Sequence, residues 1–290
     1  MNDAEVILLV VNPVSGNSNK KEFIQIIEKK LRKNSQLHSF YTSGNGDQEK
    51  LSKEIERYRP DRILVLGGDG TIKLTAEALG EKSIGLGIIP AGSANGLAND
   101  LGLPFDSEDA VTVALGQKTR EIDAIRINGE LCLHISDFGV NAELIKNYEE
   151  SNLRGKLGYL FHSISTLYNS EMPYRFKIET EGKSKEYKAI MLAFANSRKY
   201  GTGAVVNPHG KIDDGKFEIL IFKRFNFFEI LKTLRHETEV SSDFIEHIST
   251  TKATVTADVP VNFQIDGEYC DKLKKVEAEI IPKKLCIFVN

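Results

Sequence analysis

One ten-residue stretch combines the residue types that phosphoryl-transfer chemistry uses. Residues 62–71 (Arg-Ile-Leu-Val-Leu-Gly-Gly-Asp-Gly-Thr) join a short apolar run to a glycine turn, and a helical pattern follows. Strand, glycine turn and helix place backbone N–H groups where an anion can bind closely. Asp69 is the unusual member, because a carboxylate beside phosphate is repelled unless Mg²⁺ or a proton lies between them. The stretch therefore indicates either phosphoryl transfer or an ordinary glycine turn with a helix-capping aspartate.

Length and composition describe a folded chain without a strong net charge. The chain has 290 residues, of which 41% are hydrophobic and 27% charged, and its formal net charge is −3. This length suggests two domains, and the small net charge argues against nucleic acid as a partner. The cysteines at 132, 270 and 286 suit neither a disulfide framework nor a zinc site, which favours a reducing, cytoplasmic setting. Neither a signal peptide nor an apolar run of the roughly 20 residues of a membrane span is recognisable.

The order of predicted elements places the glycine turn in a parallel sheet. Strands are predicted at 6–11, 37–41, 63–66 and 84–89, and helices at about 20–33, 47–59, 72–79, 96–101 and 107–115. Alternating βα units indicate a parallel sheet with right-handed crossovers. Ligands of such sheets bind where strands end and helices begin. Three polar loops fall at that edge of the sheet, at residues 12–17, 67–71 and 91–96.

From residue 123 onward the pattern changes to short strands. A hairpin is predicted at 123–135 around Asn128-Gly129, and further strands at 174–179, 187–194, 217–222, 253–257, 261–265, 276–281 and 285–289. Helical segments are predicted at about 157–168 and 227–236. The predicted fold class is therefore α/β, with a doubly wound parallel-sheet nucleotide domain at 1–122 and an antiparallel β-rich acceptor domain at 123–281. The strand at 282–290 could belong to the first domain, and the active site is expected in the cleft between the two.

Six short motifs carry a resemblance to one family. In chain order they are Asn12-Pro13-x-Ser15-Gly16, Gly67-Gly68-Asp69-Gly70-Thr71, Gly87-x-x-Pro90-x-Gly92-Ser93-x-Asn95, Ala195-Asn196-Ser197, Asp213-Asp214-Gly215 and Asp266-Gly267-Glu268. Together they resemble the catalytic domain of diacylglycerol kinases and sphingosine kinases, most closely the soluble bacterial lipid kinases. The resemblance covers nearly the whole chain. It implies a lipid kinase that transfers the γ-phosphoryl group of ATP to the hydroxyl of a diacylglycerol-like or sphingoid lipid.

The resemblance implies an ATP site in the three loops of the first half and at Thr42. The cofactor-binding residues that it implies are Asn12, Pro13, Ser15, Gly16, Thr42, Gly67, Gly68, Asp69, Gly70, Thr71, Gly92, Ser93 and Asn95. Ser93 stands where the family often has threonine, and either hydroxyl can donate to a phosphate oxygen. Gly96 stands where diacylglycerol kinases usually have aspartate, which leaves the identity of the lipid open.

The chemistry also needs an acid near the acceptor. An acceptor hydroxyl requires a carboxylate to take its proton, and the triphosphate requires Mg²⁺ to offset its charge. By resemblance the proton acceptor is Asp266 or Glu268, and Asp69 is the other candidate, as in relatives such as sphingosine kinases. The sequence leaves the division of roles among these three residues open.

A metal site is implied at the second acidic turn, at residues 211–216. The resemblance assigns a structural Mg²⁺ to the Asp213-Asp214 turn, bound by the Asp214 carboxylate and by backbone carbonyls of Lys211 and Lys216. A hard cation accepts such oxygen ligands. The alternative is a solvated Asp-Gly turn between strands.

A lipid acceptor implies contact with a membrane surface. Residues 223–228 mix cations with aromatic side chains and could touch headgroups, although such a run also suits a strand end followed by a helix. The prediction is a cytoplasmic protein, peripheral to the inner face of the membrane, with a homodimer left open. NAD kinase, which shares Gly-Gly-Asp-Gly-Thr, is the first alternative. A non-catalytic nucleotide-binding regulator with the same fold is the second.

Overall fold

The computed structural model describes residues 4–16, 18–139, 173–200, 204–205, 207–208, 210–223 and 244–290. The helices predicted at about 157–168 and 227–236, and all but the first residue of the segment at 223–228, lie outside these ranges. The chain divides into two compact units. Met1–Ile122 and Lys283–Asn290 form the first, and Asp123–Pro282 forms the second.

The first unit is built on a parallel sheet. Its strands are β1 (Val6–Val11), β2 (Gln36–Tyr41), β3 (Arg62–Gly67) and β4 (Gly85–Pro90). Its helices are α1 (Lys20–Lys30), α2 (Asp47–Tyr58), α3 (Asp69–Leu79), α4 (Gly96–Asp100) and α5 (Ser107–Ala114). The strands lie in the order β4-β3-β1-β2 and are all parallel. This is the doubly wound arrangement that alternating βα units predict.

Burial on both faces explains why the first half forms this sheet. All residues of β3, and all of β1 except Val6, are buried, as expected for strands covered on both sides. The β1 side chains at positions 7, 9 and 11 pack with α1 and α5 in one apolar cluster. Those at positions 8 and 10 are equally buried, and α2 and α3 contact the same strand. Because side chains alternate along a strand, α1 and α5 cover one face and α2 and α3 the other.

The second unit is antiparallel and β-rich. Its strands, the first and last of which continue into the first unit, are β5 (Thr119–Ile127), β6 (Glu130–Cys132), β7 (Ile135–Gly139), β8 (Tyr174–Thr180), β9 (Lys183–Ala189), β10 (Met191–Ala195), β11 (Lys199–Tyr200), β12 (Ala204–Val205), β13 (Phe217–Phe222), β14 (Ile245–Thr250), β15 (Lys252–Ile265) and β16 (Glu268–Phe288). The main order is β14-β13-β10-β7-β15-β16, with antiparallel neighbours throughout. Phe138, Phe176 and Phe263 lie fully buried in its core.

Two strands predicted as continuous are divided in the structure, and hydrogen bonds explain both divisions. The stretch 130–135 becomes β6 and β7, because backbone N–H groups at 133–135 donate to the Asp266 carboxylate instead of to a neighbouring strand. The stretch 187–194 is divided at Ile190 between β9 and β10. β9 pairs with β8, whereas β10 pairs with β7 and β13, so the chain changes neighbours there.

The end of the chain returns to the first unit. The predicted strands at 276–281 and 285–289 are one strand, β16, and its Ile287 pairs in parallel with Leu86 of β4. The Phe288 ring lies beneath the buried guanidinium of Arg62, 3.8 Å from ring centroid to Cζ. The last residues therefore extend the parallel sheet beyond β4. No helix within the described ranges is long and apolar enough to cross a membrane.

Candidate active site

Three loops of the first unit meet at the C-terminal ends of β1, β3 and β4. Their closest approaches are at glycines, which leave no space for a side chain. A Cβ atom on Gly16 would lie 2.6 Å from the carbonyl oxygen of Ala91, and one on Gly92 would lie 2.5 Å from the Cα atom of Gly68. Loops 12–16, 67–71 and 91–96 therefore form one surface on which backbone is accessible at close range.

Polar side chains of the first loop brace it against the other two. The side-chain NH₂ group of Asn12 donates to the Thr71 hydroxyl at 3.2 Å, and the side-chain oxygen of Asn12 accepts from the N–H of Val14 at 3.1 Å. The Ser15 hydroxyl lies 3.1 Å from the backbone carbonyl oxygen of Asn12 and 3.3 Å from that of Ala91. Asn12, Ser15 and Thr71 thus fix the relative positions of the loops as well as being candidates for nucleotide contact.

The third loop is held by two further side chains. Asp69, at the start of α3, accepts hydrogen bonds from the N–H groups of Gly96 at 2.8 Å and Leu97 at 3.1 Å. Asn95 adopts a left-handed conformation with φ +52°, which asparagine tolerates better than most residues. Its side-chain amide bonds both the N–H and the carbonyl of Gly92. Both residues therefore shape the loop that begins the short helix α4.

Lys20 is a cation beside these loops that the sequence interpretation did not identify. Its ammonium group donates to the carbonyl oxygens of Ser15 at 2.6 Å and Ala91 at 3.0 Å, and to the Ser18 hydroxyl at 2.9 Å. It thus ties the loop after β1 to the loop after β4. Burial lowers the pKa of this ammonium group from its ordinary value, because desolvation disfavours the charged form. Its place in the first turn of α1, just after a polar loop, was the available signal.

Backbone donors and exposed polar groups complete the surface. α3 begins at Asp69, so the N–H groups of Asp69 and Gly70 have no partner within the helix, whereas that of Thr71 donates to the carbonyl oxygen of Gly68 at 3.0 Å. Together with the helix dipole, the first two N–H groups favour an anion. Gly70 and Ser93 are exposed, as is Pro13 in the first loop. Thr42 follows β2 directly, and its N–H donates to the carbonyl oxygen of Val11 at 2.9 Å. This surface can hold a polyphosphate through backbone N–H groups and hydroxyls.

The turn after Thr42 depends on a buried carboxylate. Asp47, at the start of α2, accepts from the N–H groups of Ser43 at 2.8 Å and Gly44 at 2.7 Å and from the Ser43 hydroxyl at 2.7 Å. Burial alone would raise the pKa of this carboxyl group, but the hydrogen bonds from Ser43 and Gly44 outweigh it and hold the pKa below its ordinary value. The charged form of Asp47 thereby fixes the loop that follows Thr42.

In the second unit, Asp266 and Glu268 belong to one turn between β15 and β16. The Asp266 carboxylate accepts from the N–H groups of Leu133 at 2.8 Å, His134 at 2.9 Å and Ile135 at 3.1 Å. The thiol of Cys132 lies 3.5 Å from the same carboxylate. The Glu268 side chain is exposed and makes no hydrogen bond or ion pair with any residue that the structure describes, whereas its backbone carbonyl accepts from the Cys270 thiol at 3.6 Å. The two acids therefore differ sharply in their surroundings.

Hydrogen bonds with buried side chains hold this turn in place. The N–H of Gly267 donates to the side-chain carbonyl of Gln264 at 2.7 Å, and the Gln264 amide donates to the Asp137 carboxylate at 2.5 Å. Gln264 is 1% exposed and Asp137 is fully buried. Neither residue stands out in the sequence, because the two partners are 127 positions apart.

The acidic loop at 211–216 offers oxygen ligands but is not a cluster of acids. Asp213 and Asp214 are exposed, and Asp214 accepts from the N–H of Lys216 at 3.2 Å. The loop is anchored by Asp123, which is 1% exposed and accepts from the N–H of Gly215 at 2.7 Å. Within the described ranges no three His, Cys, Asp or Glu side chains group as metal ligands. One carboxylate with backbone carbonyls suits Mg²⁺, so the donor set of this loop fits the implied ion.

The structure thus brings most predicted first-unit residues together and shows supporting residues that the sequence interpretation missed. Among the missed residues are Lys20, Asp123 and Gln264. For Asp123 the signal was an acid between apolar residues in the run Ile-Asp-Ala-Ile at 122–125. A buried carboxylate in such a run requires hydrogen-bond donors, and the donor here is backbone from the acidic loop.

Two family models match this chain. Residues 6–127 match the diacylglycerol kinase catalytic domain. Residues 135–289 match the YegS C-terminal NAD kinase beta sandwich-like domain. The two matches follow one another along the chain and leave only a few residues between them.

Curated relatives match over most of the chain. A probable lipid kinase YegS-like from Chromohalobacter salexigens is 29% identical over 83% of this chain and 80% of its own length. A diacylglycerol kinase from Bacillus subtilis is 28% identical over 90% of this chain and 89% of its own length.

Solved structures share the fold. A diacylglycerol kinase from Bacillus anthracis str. Sterne superposes with a TM-score of 0.74 and 19% identity, over 100% of this chain and 98% of that one. Yeast NADH kinase superposes with a TM-score of 0.54 and 11% identity, over 100% of this chain and 84% of that one. At these identities the likeness shows fold alone.

Proposed function

This chain belongs to the lipid kinase family that joins a diacylglycerol kinase catalytic domain to a YegS C-terminal domain, and on that premise we propose that it is an ATP-dependent lipid kinase. It transfers the γ-phosphoryl group to a hydroxyl of a diacylglycerol-like or sphingoid lipid. The observation that carries the proposal is the convergence of the three loops in the first unit. Glycine-to-glycine contact at Gly68 and Gly92 exposes backbone at the start of α3, which suits a polyphosphate.

The nucleotide is held in this proposal by the loops already described. Backbone N–H groups at 68–70 and the hydroxyls of Ser93 and Thr42 donate to phosphate oxygens. Lys20 keeps two of the loops at a fixed spacing and adds a positive charge beside them. These residues bind and orient ATP, and orientation is the larger part of what a kinase supplies.

Mg²⁺ has two roles in this proposal. Bound with the triphosphate, it would offset the charge that makes nucleophilic attack on the γ-phosphorus unfavourable. The Asp214 carboxylate and the carbonyl oxygens of Lys211 and Lys216 would hold a second ion, which would stabilise the loop. The exposed oxygen ligands of that loop and its anchor at Asp123 support this assignment.

The acceptor is a lipid because the relatives named above are lipid kinases. A lipid hydroxyl is available at a membrane surface, so the protein works as a peripheral, cytoplasmic enzyme at the inner face of the membrane. The proton acceptor comes from the acids predicted at Asp266, Glu268 and Asp69.

A phosphorylation assay tests the proposal. Purified protein is incubated with γ-³²P-labelled ATP, Mg²⁺ and, separately, diacylglycerol, sphingosine, phosphatidylglycerol or NAD, the lipids in mixed micelles. We expect label in a lipid and none after chelation with EDTA. Label in NAD alone would replace this proposal with an NAD kinase, and nucleotide binding without transfer to any acceptor would favour a non-catalytic regulator.

A further inference from the structure

One surface of the second unit carries four cations, which are Arg175 of β8, Lys188 of β9, and Lys272 and Lys274 of β16. All four side chains are exposed, and none makes a hydrogen bond or ion pair with any residue that the structure describes. We propose that this cationic patch binds a bilayer that contains anionic lipids. The inference rests on the proposed function, because a lipid acceptor lies in a membrane, and it adds the surface of contact and the class of lipid.

The pairing of four strands brings these cations together. β9, β8, β15 and β16 lie side by side in that order. Arg175 is directly opposite Lys188 across β8 and β9. Residues 257–260 of β15 lie opposite Lys274 of β16, and the N–H of Arg175 donates to the Asp258 carboxylate at 3.4 Å. The cationic patch therefore extends across all four strands, with residues 257–260 at its middle.

The cations lie on the face of the sheet that is turned away from the core. Leu273 packs against the apolar core of the unit, so Lys272 and Lys274 on either side of it face the other way. Arg175 directly precedes Phe176, which is fully buried in the same core. Arg175 and the lysine opposite it therefore share the outer face with the two lysines of β16.

Charges around the cationic patch are neutralised, whereas those within it are not. Lys177, Lys252 and Lys275 each form an ion pair with a glutamate of the same sheet. Two acids of this face, Asp258 and Glu186, reduce the charge of the four cations without cancelling it. Like charges directly opposite each other on neighbouring strands also destabilise a sheet. An anionic partner would relieve this repulsion, so the patch is positive on a chain whose formal net charge is −3.

An apolar projection lies within the cationic patch. The register of β15 against β16 shifts between Thr256 and Val261, so the residues between them form a bulge. Val259 in this bulge is 40% exposed, and Pro260 beside it is also exposed. A single exposed valine is ordinary on a protein surface. One that lies among unpaired cations matches a bilayer surface, where anionic headgroups cover acyl chains, and distinguishes the patch from a site for a water-soluble polyanion.

Vesicle sedimentation tests the role of the charges. Purified protein without ATP is mixed with vesicles of phosphatidylcholine alone, or with vesicles in which a third of the lipid is phosphatidylglycerol. We expect binding to the second kind only, and weaker binding as salt is added. Each cation near an anionic bilayer strengthens binding about fivefold. Arg175→Gln/Lys188→Gln and Lys272→Gln/Lys274→Gln should therefore each bind about 30-fold more weakly than the wild-type protein.

The matched control removes the same charge from another surface. Lys29→Gln/Lys33→Gln replaces two exposed lysines of the first unit that form no ion pair with any described residue, and it should bind vesicles as the wild-type protein does. Because all the replaced side chains are exposed, every variant should keep the melting temperature of the wild-type protein.

A fluorescent probe tests the role of the bulge. The chain contains no tryptophan, so Val259→Trp introduces a single reporter. Its emission should shift to shorter wavelength on phosphatidylglycerol vesicles, and lipids brominated on their acyl chains should quench it, because the ring enters the interface. Phe105→Trp, at an exposed position of the first unit, is the control and should not respond.

Failure of this inference is distinct from failure of the proposed function. Wild-type binding by both cation-pair variants, or unchanged emission of Val259→Trp on vesicles, would overturn the inference even if the protein phosphorylates a lipid. Tight binding of heparin together with unchanged emission would identify a polyanion site instead. Vesicle binding through the cationic patch by a protein that labels no lipid would contradict the proposed function alone.

Discussion

At the scale of single residues, Gly92 shows how little space separates the nucleotide loops. A Cβ atom there would lie 2.5 Å from the Cα atom of Gly68 and 2.8 Å from the Asn95 side-chain oxygen. Neither neighbour can withdraw easily, because one is backbone and the other is bonded to Gly92 itself. Gly92→Ala should therefore push two loops apart and weaken nucleotide binding by about tenfold or more, measured by titration with a fluorescent ATP analogue.

The control for Gly92→Ala is a glycine at a positive φ whose Cβ position meets no other atom. Gly102 has φ +65° and open space around it, so Gly102→Ala should cost about 1 kcal/mol of stability through backbone strain alone. We expect this variant to melt earlier and to bind the ATP analogue as the wild-type protein does. Equal affinity of Gly92→Ala and wild-type protein would show that the glycine contact does not shape the site.

Asp47 carries a prediction about pH. Its folded-state pKa lies below the ordinary value, so its charged form stabilises the fold above about pH 4, and this contribution is lost as pH falls through the folded pKa. Asp47→Asn should lower the free energy of unfolding at neutral pH by roughly 1–3 kcal/mol, since donors at Ser43 and Gly44 lose an ionised acceptor. Urea unfolding at neutral and acid pH measures the difference between variant and wild type.

The expected signature is a difference that shrinks on acidification. As pH falls through the folded-state pKa of Asp47, the two proteins should approach equal stability, because the wild-type carboxylate then becomes protonated. A constant difference across the range would mean that the Asp47 charge contributes nothing. Asp106→Asn is the matched control, because this exposed aspartate also caps a helix by accepting from two backbone N–H groups.

At the scale of elements, local pattern was enough to predict the sheet and its order of strands and helices. Apolar runs such as Val6–Val11 form strands that are buried on both faces, and such runs are easily recognised in a sequence. The same is true of the glycine turn at 67–71, because glycines between an apolar run and a helical pattern mark a turn. These features depend on neighbours in sequence, so the sequence carries them directly.

What could not be predicted depends on partners far apart in sequence. Asp266 causes the division of the strand at 130–135, because backbone N–H groups of this stretch donate to its carboxylate. The residue types at 130–135 alone do not indicate these hydrogen bonds. Lys20 donates to a carbonyl 71 positions away, so its bridging role is visible only once the loops are placed. The short helix α4 likewise depends on Asp69, 27 positions before it. Sequence patterns therefore predict where the loops lie along the chain, and the structure shows which side chains hold the loops in position relative to one another.

At the scale of the whole molecule, the chain leaves the first unit near residue 122 and returns to it at residue 283. The returning segment buries Leu285, Ile287 and Phe288, which are each less than one-tenth exposed. Burial of three such side chains is worth roughly 4–9 kcal/mol. The first unit is therefore not complete until the last residues have been made, although its other strands come from the first third of the chain.

A chain that ends at Pro282 should for this reason lose the fold of its first unit. The predicted loss of roughly 4–9 kcal/mol is comparable to the whole stability of a typical domain. Limited proteolysis should cut such a chain within residues 1–122, and binding of the fluorescent ATP analogue should be lost.

Phe288→Ala is the milder variant: it removes the ring beneath Arg62 and should lower the urea midpoint of the first unit while leaving it folded. The control ends at Val289 and loses little beyond the bond from the Asn290 amide to the Gly102 carbonyl, so it should behave as the full chain does. If the chain ending at Pro282 bound nucleotide normally, the returning strand would be dispensable, and residues 1–122 would have to form a stable nucleotide-binding unit without it.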